Sequence, residues 1–505
     1  MPKTKQTGIW TVITSSSVGT LIEWYDFYIF GSLATILSVQ FFPQDNPTIA
    51  FLNTLLTFAA GFIVRPFGAL VFGRLGDIVG RKYTFLVTLI LMGGSTFLIG
   101  LIPSYERIGY LAPALVLFLR LVQGLALGGE YGGAATYVAE HSPPGKRGFY
   151  TSWIQTTATL GLFLSLIIIL MTRTGIGEEA FREWGWRIPF LVSSVLVGVS
   201  IYIRVKMAES PVFAKLKKEG KTSTNPLKES FGKRENLKMV LLALFGATMG
   251  QGVIWYTGQF YAMSFIQKTC NIDHVQVNYI IVAALLLGTP FFILFGWLSD
   301  KVGRKWIMML GMLLGVLLYR PIYTAMYNLA DLDKKTELVD QYKIERHVEA
   351  WEEDPSKQIV TITATQYFSD GTQVKEIKHE LDGALHGPVI KGTVLDDAGF
   401  WKMILLIFVQ VIFVTMVYGP IAAFLVELFP TRIRYTSMSL PYHVGNGIFG
   451  GLTPAIATRF FEDSKNAANP GGDPLAGLTY VILVAAVCFI IGVFYLKNSY
   501  NTEES

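Results

Sequence analysis

Charge is scarce in this chain. Of its 505 residues only 16% are Asp, Glu, Lys or Arg while 51% are hydrophobic, and soluble domains carry roughly 25% charged residues. That balance excludes a large soluble core and points to a bilayer. Cysteine is scarcer still. Cys270 and Cys488 make neither a disulfide framework nor a metal cluster, and both lie in or beside apolar stretches as packing residues. A P-loop, a Rossmann glycine pattern and an HExxH helix are missing, so the usual sequence marks of an enzyme are missing too. No cofactor is expected. The net charge of +5 matters less than where the charges lie. The basic stretch from Arg204 to Lys238 reads as a strip along the cytoplasmic membrane surface, not as a nucleic-acid patch.

Long apolar runs are what the chain has in abundance. A helix needs roughly 20 apolar residues to cross the hydrocarbon core. Such runs lie near 11–39, 51–72, 84–102, 111–138, 150–171 and 187–204, then near 238–265, 276–298, 306–327, 402–428, 436–457 and 476–496. Helices satisfy their own backbone hydrogen bonds in lipid, so the predicted fold is an all-α integral membrane protein with twelve transmembrane helices in two six-helix halves. The first run holds Glu23 and Asp26 and is too long for a cleaved signal, whose apolar core is roughly 7–15 residues. It is a retained helix. With the N-terminus in the cytoplasm, the inner loops hold far more Lys and Arg than the outer ones, which places both termini inside. One outer loop, with Arg173, Arg182 and Arg187, departs from this and is softened by Glu178, Glu179 and Glu183.

An internal repeat is present but interrupted. Gly73, Asp77, Gly80, Arg81 and Lys82 recur in the same spacing as Gly296, Asp300, Gly303, Arg304 and Lys305, an offset of 223. A second pattern, Glu140, Pro143, Arg147, recurs as Glu427, Pro430, Arg434 at an offset of 287. The difference of 64 residues must enter the second half between the two motifs. Hydrophobicity drops over about 331–397, a net acidic stretch. Residues 358–367 and 373–380 alternate around Ser369-Asp370-Gly371, a hairpin pattern, and 333–353 is expected to form a short helix. The insertion is read as a small α+β subdomain, either a lid or docking element or a tolerated loop. The expected organisation is 1–205 for the first half, 206–236 for a cytoplasmic linker and 237–330 for helices 7–9. The extracytoplasmic insertion takes 331–398, and helices 10–12 with the tail take 399–505.

The doubled GxxxDxxGRK loops, with Arg120-Leu-Val-Gln123-Gly124 on the fourth helix, resemble the major facilitator superfamily. Glu23-Trp24-Tyr25-Asp26-Phe27, Gly128-Gly129-Glu130-Tyr131-Gly132-Gly133, Glu209-Ser210-Pro211 and Glu427-Leu-Phe-Pro430-Thr431-Arg432 look like its metabolite:H⁺ symporter branch, which carries shikimate, 2-oxoglutarate, citrate and proline or betaine. The resemblance spans nearly the whole chain except 331–397. It implies a bacterial cytoplasmic membrane and alternating access around a midplane site between rocking halves. Gly161 is followed by Leu162, so the Gly-Pro motif of antiporters is absent from helix 5.

Charges inside a span are functional candidates because hydrocarbon penalises them. Glu23, Asp26, Arg120 and Glu130 are the candidates for proton coupling, with Asp26 first and Arg120 its preferred partner; a permanent structural ion pair is the bland alternative. Arg65 offers a fork of donors suited to a substrate carboxylate. Gln123, Gln251, Tyr256, Gln259, Tyr418, His443 and Asn446 add the few placed polar groups a small-ligand site needs, though most aromatics on such helices simply pack. The repeated residues from Gly73 to Arg81 and from Gly296 to Arg304, together with Glu140, Arg147, Glu427 and Arg434, are read as a gate that holds the cytoplasmic side closed. The leading function is proton-coupled symport of a small organic acid or zwitterion by a monomer in the bilayer. A transporter-like sensor using the insertion and a passive facilitator remain open alternatives.

Overall fold

The computed structural model describes residues 8–498 apart from 178–179, 352–353, 386–388, 467–468 and 470. These residues build twelve rods. Rod α1 is Ile9–Ser32 continued by Ala34–Phe41, and α2 is Pro47–Ile63 continued by Arg65–Ile78. Then follow α3 (Arg81–Leu101), α4 (Leu111–His141), α5 (Arg147–Ile176) and α6 (Arg187–Val205). The second set is α7 (Arg234–Thr269), α8 (His274–Val302), α9 (Arg304–Ala330) and α10 (Asp397–Leu428). It ends with α11 (Arg434–Val444, then Gly445–Gly450 and Thr453–Asp463) and α12 (Leu478–Tyr495).

Ten of these rods are long and apolar enough to cross a membrane; α1 and α11 fall outside that group. The reason is visible in their side chains. Rod α1 buries Ser15, Ser16, Thr20, Glu23 and Asp26, and α11 buries Arg434, Thr436, Ser437, Ser439 and His443. A helix enclosed by other helices is free to carry polar groups that a lipid-facing one is not. The two halves meet where α2 packs on α11 and α5 packs on α8, an exchange that repeats once the halves are superimposed in order.

Small residues make these crossings close. A Cβ on Gly73 would stand 2.9 Å from Cα of Thr436, and one on Gly296 would stand 2.4 Å from Cβ of Ser152. Gly80 (φ 143°) and Gly303 (φ 97°) open α3 and α9 in a backbone region that L-residues avoid. Rod α7 contains three π-turns, at Leu244–Thr248, Thr257–Tyr261 and Phe265–Thr269, and α11 contains one at Gly445–Gly450, a feature that often marks functional sites.

The insertion is a five-stranded antiparallel sheet: β1 (Lys343–Trp351), β2 (Asp354–Tyr367), β3 (Gln373–Leu381), β4 (Ala384–Leu385) and β5 (Ile390–Val394). The β2–β3 hairpin forms around Ser369-Asp370-Gly371 as expected. The helix expected over 333–353 does not form. Short turns at Leu332–Lys334 and Val339–Gln341 lead into β1, where Ile344, Arg346 and Val348 pair with Ala364, Ile362 and Val360. Cross-strand pairing overrides the local helical preference of this charged segment. Strand β5 fastens the sheet to the α7–α8 loop. Thr393 N donates to Asn271 O at 2.7 Å, Asp273 N donates to Thr393 O at 2.9 Å, and Gln276 exchanges two bonds with the Leu395 backbone. Asp396 then caps α10 by accepting from Ala398 N and Gly399 N.

Candidate functional site

The repeated motifs sit on the side opposite the sheet and tie the halves together. Asp77, at the end of α2, accepts from Tyr435 N at 3.3 Å, Thr436 N at 2.8 Å and Thr436 Oγ1 at 2.7 Å. It therefore caps the first turn of α11 in the other half, where a carboxylate meets the positive helix end. Asp300 does the same for α5, accepting from Gly148 N at 2.9 Å and Phe149 N at 2.7 Å. Each aspartate pairs with the arginine four residues on, Arg81 at 3.0 Å and Arg304 at 2.7 Å. Those arginines reach Glu140 at 3.5 Å and Glu427 at 3.0 Å, and Glu140 crosses to Arg434 at 3.2 Å. Arg147 opens α5, and its charge acts on Glu427. The lysine of each motif turns back on its own half: Lys82 Nζ donates to Val205 O at the end of α6, and Lys305 Nζ to Val493 O and Leu496 O at the end of α12. In this structure the motif side is closed.

A narrow central cavity of about 30 Å³ lies between the halves, room for a water or two. Glu23 and Arg65 meet there from the first half, with Trp24, Phe62, Tyr131 and Gln155; Trp255, Tyr256, Tyr418, Tyr442, His443 and Asn446 face them from the second. Tyr131 stacks on Tyr442 with ring centroids 3.7 Å apart, Tyr418 and Tyr442 share a hydrogen bond of 2.7 Å, and Gln155 donates to Tyr131 Oη at 2.8 Å. His443 leaves Nε2 buried without a partner. Asn446 is held by a reciprocal amide pair with Gln251, at 3.0 and 2.9 Å. Gln251 thus positions a lining residue and does not itself line the cavity. Gln259 is buried on α7 away from it.

Asp26 lies behind this cavity, 1% exposed. Its Oδ2 is 2.7 Å from Thr96 Oγ1, while Oδ1 is buried without a partner. Thr96 also lies 3.1 Å from Met92 O and accepts from Gln123 Nε2 at 2.8 Å, and Gln123 Oε1 accepts from Arg120 Nη1 at 2.5 Å. Arg120 therefore reaches Asp26 through two side chains, where the sequence led us to expect direct pairing. A threonine hydroxyl has one proton and two lone pairs. With Asp26 ionised, Thr96 donates to it; with Asp26 protonated, the acid donates to Thr96, whose own proton turns to Met92 O. One hydroxyl rotation satisfies both states.

Glu130 belongs elsewhere. Its Oε1 is 2.6 Å from Arg204 Nη2 and its Oε2 accepts from Thr88 at 2.7 Å. Arg204 also donates to Phe85 O at 2.5 Å and covers the Phe85 ring at 3.4 Å. This buried pair joins α4 to α6 apart from Asp26, and it lifts Arg204 out of the surface strip into the bundle. Sequence reasoning passed over Tyr131, Tyr442 and Gln155 as site residues. They sit on apolar helices with no charge or spacing to mark them, although Tyr131 lies inside a family-like glycine motif.

Residues 11–241 match the family described as Sugar (and other) transporter. Over 499 residues the chain is 30% identical to a glycine betaine/proline/ectoine/pipecolic acid transporter of Dickeya dadantii, covering 97% of this chain and 83% of that one. It is 32% identical over 452 residues to an inner membrane metabolite transport protein of Escherichia coli, covering 88% and 86%. An alpha-ketoglutarate permease of Escherichia coli is 29% identical over 486 residues, with 96% and 92% covered. Among solved structures, a proton:xylose symporter bound to 6-bromo-6-deoxy-D-glucose aligns with a TM-score of 0.68 at 15% identity, over 98% of this chain and 97% of that one, a likeness of fold.

Proposed function

We infer the activity from one premise: the chain belongs to the major facilitator superfamily, in the metabolite-carrying branch of its proline/betaine and alpha-ketoglutarate relatives. It is a multi-pass membrane transporter of small molecules, not an enzyme. The finer reading is secondary active symport of a small organic acid or zwitterion with a proton, by alternating access, in a bacterial inner membrane. Both termini and the motif loops face the cytoplasm, and one chain suffices.

The observation that carries the coupling is the Asp26–Thr96 contact, in which the threonine hydroxyl can serve either protonation state. An ionised carboxylate with one unpartnered oxygen is costly in hydrocarbon, so the proton supplies what the site lacks. Glu23, Tyr25 and Arg120 are the other groups whose charge or dipole bears on Asp26. Substrate recognition falls to Arg65, Glu23 and the aromatic faces of the cavity. Carboxylates suit the arginine fork, and a cationic head suits the aromatic rings. With the motif side latched, rocking apart on the sheet side would widen the cavity for entry. Release then requires both aspartate caps to let go.

The test is uptake by liposomes holding the purified chain, with an imposed pH gradient and a panel of betaines, imino acids and dicarboxylates. The expected outcome is gradient-driven accumulation of one member with stoichiometric proton entry. Asp26→Asn should still exchange substrate down its gradient but should no longer concentrate it. Full pH-driven accumulation by that variant would move the coupling proton off Asp26.

A further inference from the structure

A second, smaller cavity adjoins the central one and brings two arginines to one space. It measures about 10 Å³ and is lined by Phe27, Phe58, Phe62, Arg65, Arg120 and Gln123, with Gly61, Gly124 and Leu127 behind. The glycines bring its walls together: a Cβ on Gly124 would stand 2.1 Å from Gly61 O, so α2 and α4 cross almost in backbone contact. That crossing sets Arg65 and Arg120 facing one space. Neither has a carboxylate within 4.0 Å among the described residues. Arg120 is 5% exposed, makes one hydrogen bond, to neutral Gln123, and leaves Nε buried without a partner. Arg65 makes no hydrogen bond among the described residues, and its Nε is likewise buried and unpartnered. What surrounds them instead is aromatic: Phe62 lies 4.3 Å under Arg65, with Phe30 and Phe58 at 4.2 and 4.8 Å from Arg120.

The nearby acids bear on this charge without touching it. Glu130 is taken by Arg204, Asp26 is held two side chains away, and Glu23 faces the central cavity. Ring faces attract a cation but accept no charge-assisted hydrogen bond, whereas two guanidinium groups converging on one space form a fork for oxyanions. The volume is that of one water-sized atom. Phe62 and Arg65 line both cavities, so a substrate seated in a widened central cavity would lie beside the space between the two arginines.

We propose that the space between Arg65 and Arg120 is an anion subsite that takes one oxygen of a substrate carboxylate, making a carboxylate a requirement for tight binding. This rests on the carrier reading above and narrows it: Arg120 holds substrate directly as well as bordering the proton relay. Neutral sugars, amides and esters of the same shape should bind far more weakly, because they offer Arg120 no charge-assisted acceptor.

The probe is formate, against its neutral isostere formamide, added to the full-length chain in nanodiscs at constant ionic strength set with gluconate. Formate should raise the unfolding midpoint saturably, and formamide should leave it unchanged. Arg120→Gln should weaken the formate response by about ten-fold or more. Arg120→Lys, which keeps the charge but not the fork, should retain part of it and controls for a fold defect in the glutamine variant. Equal effects of formate and formamide, no formate response in the wild type, or an undiminished response in both Arg65→Gln and Arg120→Gln would overturn the subsite. Formate stabilisation that depends on Arg120, in a protein that exchanges no carboxylate across liposomes, would instead sink the carrier reading and leave the subsite standing.

Discussion

The two halves are near copies on the motif side and unlike each other at the centre. Toward the motifs, Asp77 with Arg81 and Asp300 with Arg304 each cap a helix of the opposite half and pair alike. At the centre the first half concentrates Glu23, Asp26, Arg65, Arg120, Glu130 and Arg204 in its helices, while the second offers Gln251, Tyr418, Tyr442, His443 and Asn446. Duplication has kept the latch in two copies and left the ionic chemistry in one. The second half acts as a neutral wall against which the charged half works, which is economical in a bilayer where each embedded charge must be compensated.

The comparison breaks most sharply at Gly19. A Cβ there would stand 1.6 Å from Arg204 Nη2 and 2.7 Å from Glu130 Oε1, so Gly19→Leu should force the buried pair apart. Breaking such a pair costs about 3–5 kcal/mol. The expected outcome is loss of monodisperse protein, read by size exclusion; normal stability would show that the charged half tolerates rearrangement. Next comes coupling. Asp26→Asn should abolish concentrative uptake, whereas Asn446→Ala in the neutral half should weaken apparent affinity several-fold with the proton stoichiometry intact, as read by paired proton and substrate flux. A changed stoichiometry in Asn446→Ala would give the second half a share of the ionic work.

The latch copies are not quite equal, which sharpens the contrast further. Asp77 accepts three bonds from α11, and Asp300 accepts two from α5. Bonds to a charged group contribute about 1.5–3 kcal/mol each. Both Asp→Asn variants should raise cysteine labelling from the motif side, with Asp77→Asn the stronger, and equal labelling would make the copies equivalent. The smallest effect is expected where the sheet is anchored to α8. Gln276→Ala removes two bonds to Leu395, about 1–3 kcal/mol in all. It should speed hydrogen exchange in 270–276 while transport stays near normal; a large transport defect would make the sheet part of the gate.

Much of the fold could be read from hydropathy and the doubled motif because lipid imposes both the length and the apolarity of a span. Rods α1 and α11 were legible for a second reason, their place in the repeat, since their polar residues lower the apolar signal. Strand β1 was not legible: Lys343, Glu345, Arg346 and Glu349 favour a helix locally, and only the ladder with β2 makes the segment a strand. At the site, Asp26, Arg65 and Arg120 announced themselves as charges in an apolar run. Arg204 did not, because it stands at the head of a basic stretch and only its ring contact and ion pair reveal it as interior. Tyr131 and Tyr442 were hidden for the opposite reason, being ordinary aromatics until two helices from different halves stack them.

The backward reach of Lys82 and Lys305 turns each half into a closed hoop. The first turn of the third helix of each half grips the carbonyl end of the sixth, so a pull on that end acts beside the aspartate that latches the other half. The linker leaves from one such end, and the tail beyond α12 leaves from the other. Whatever tugs on either segment from outside the membrane has a short lever on the latch, with one lysine as its fulcrum.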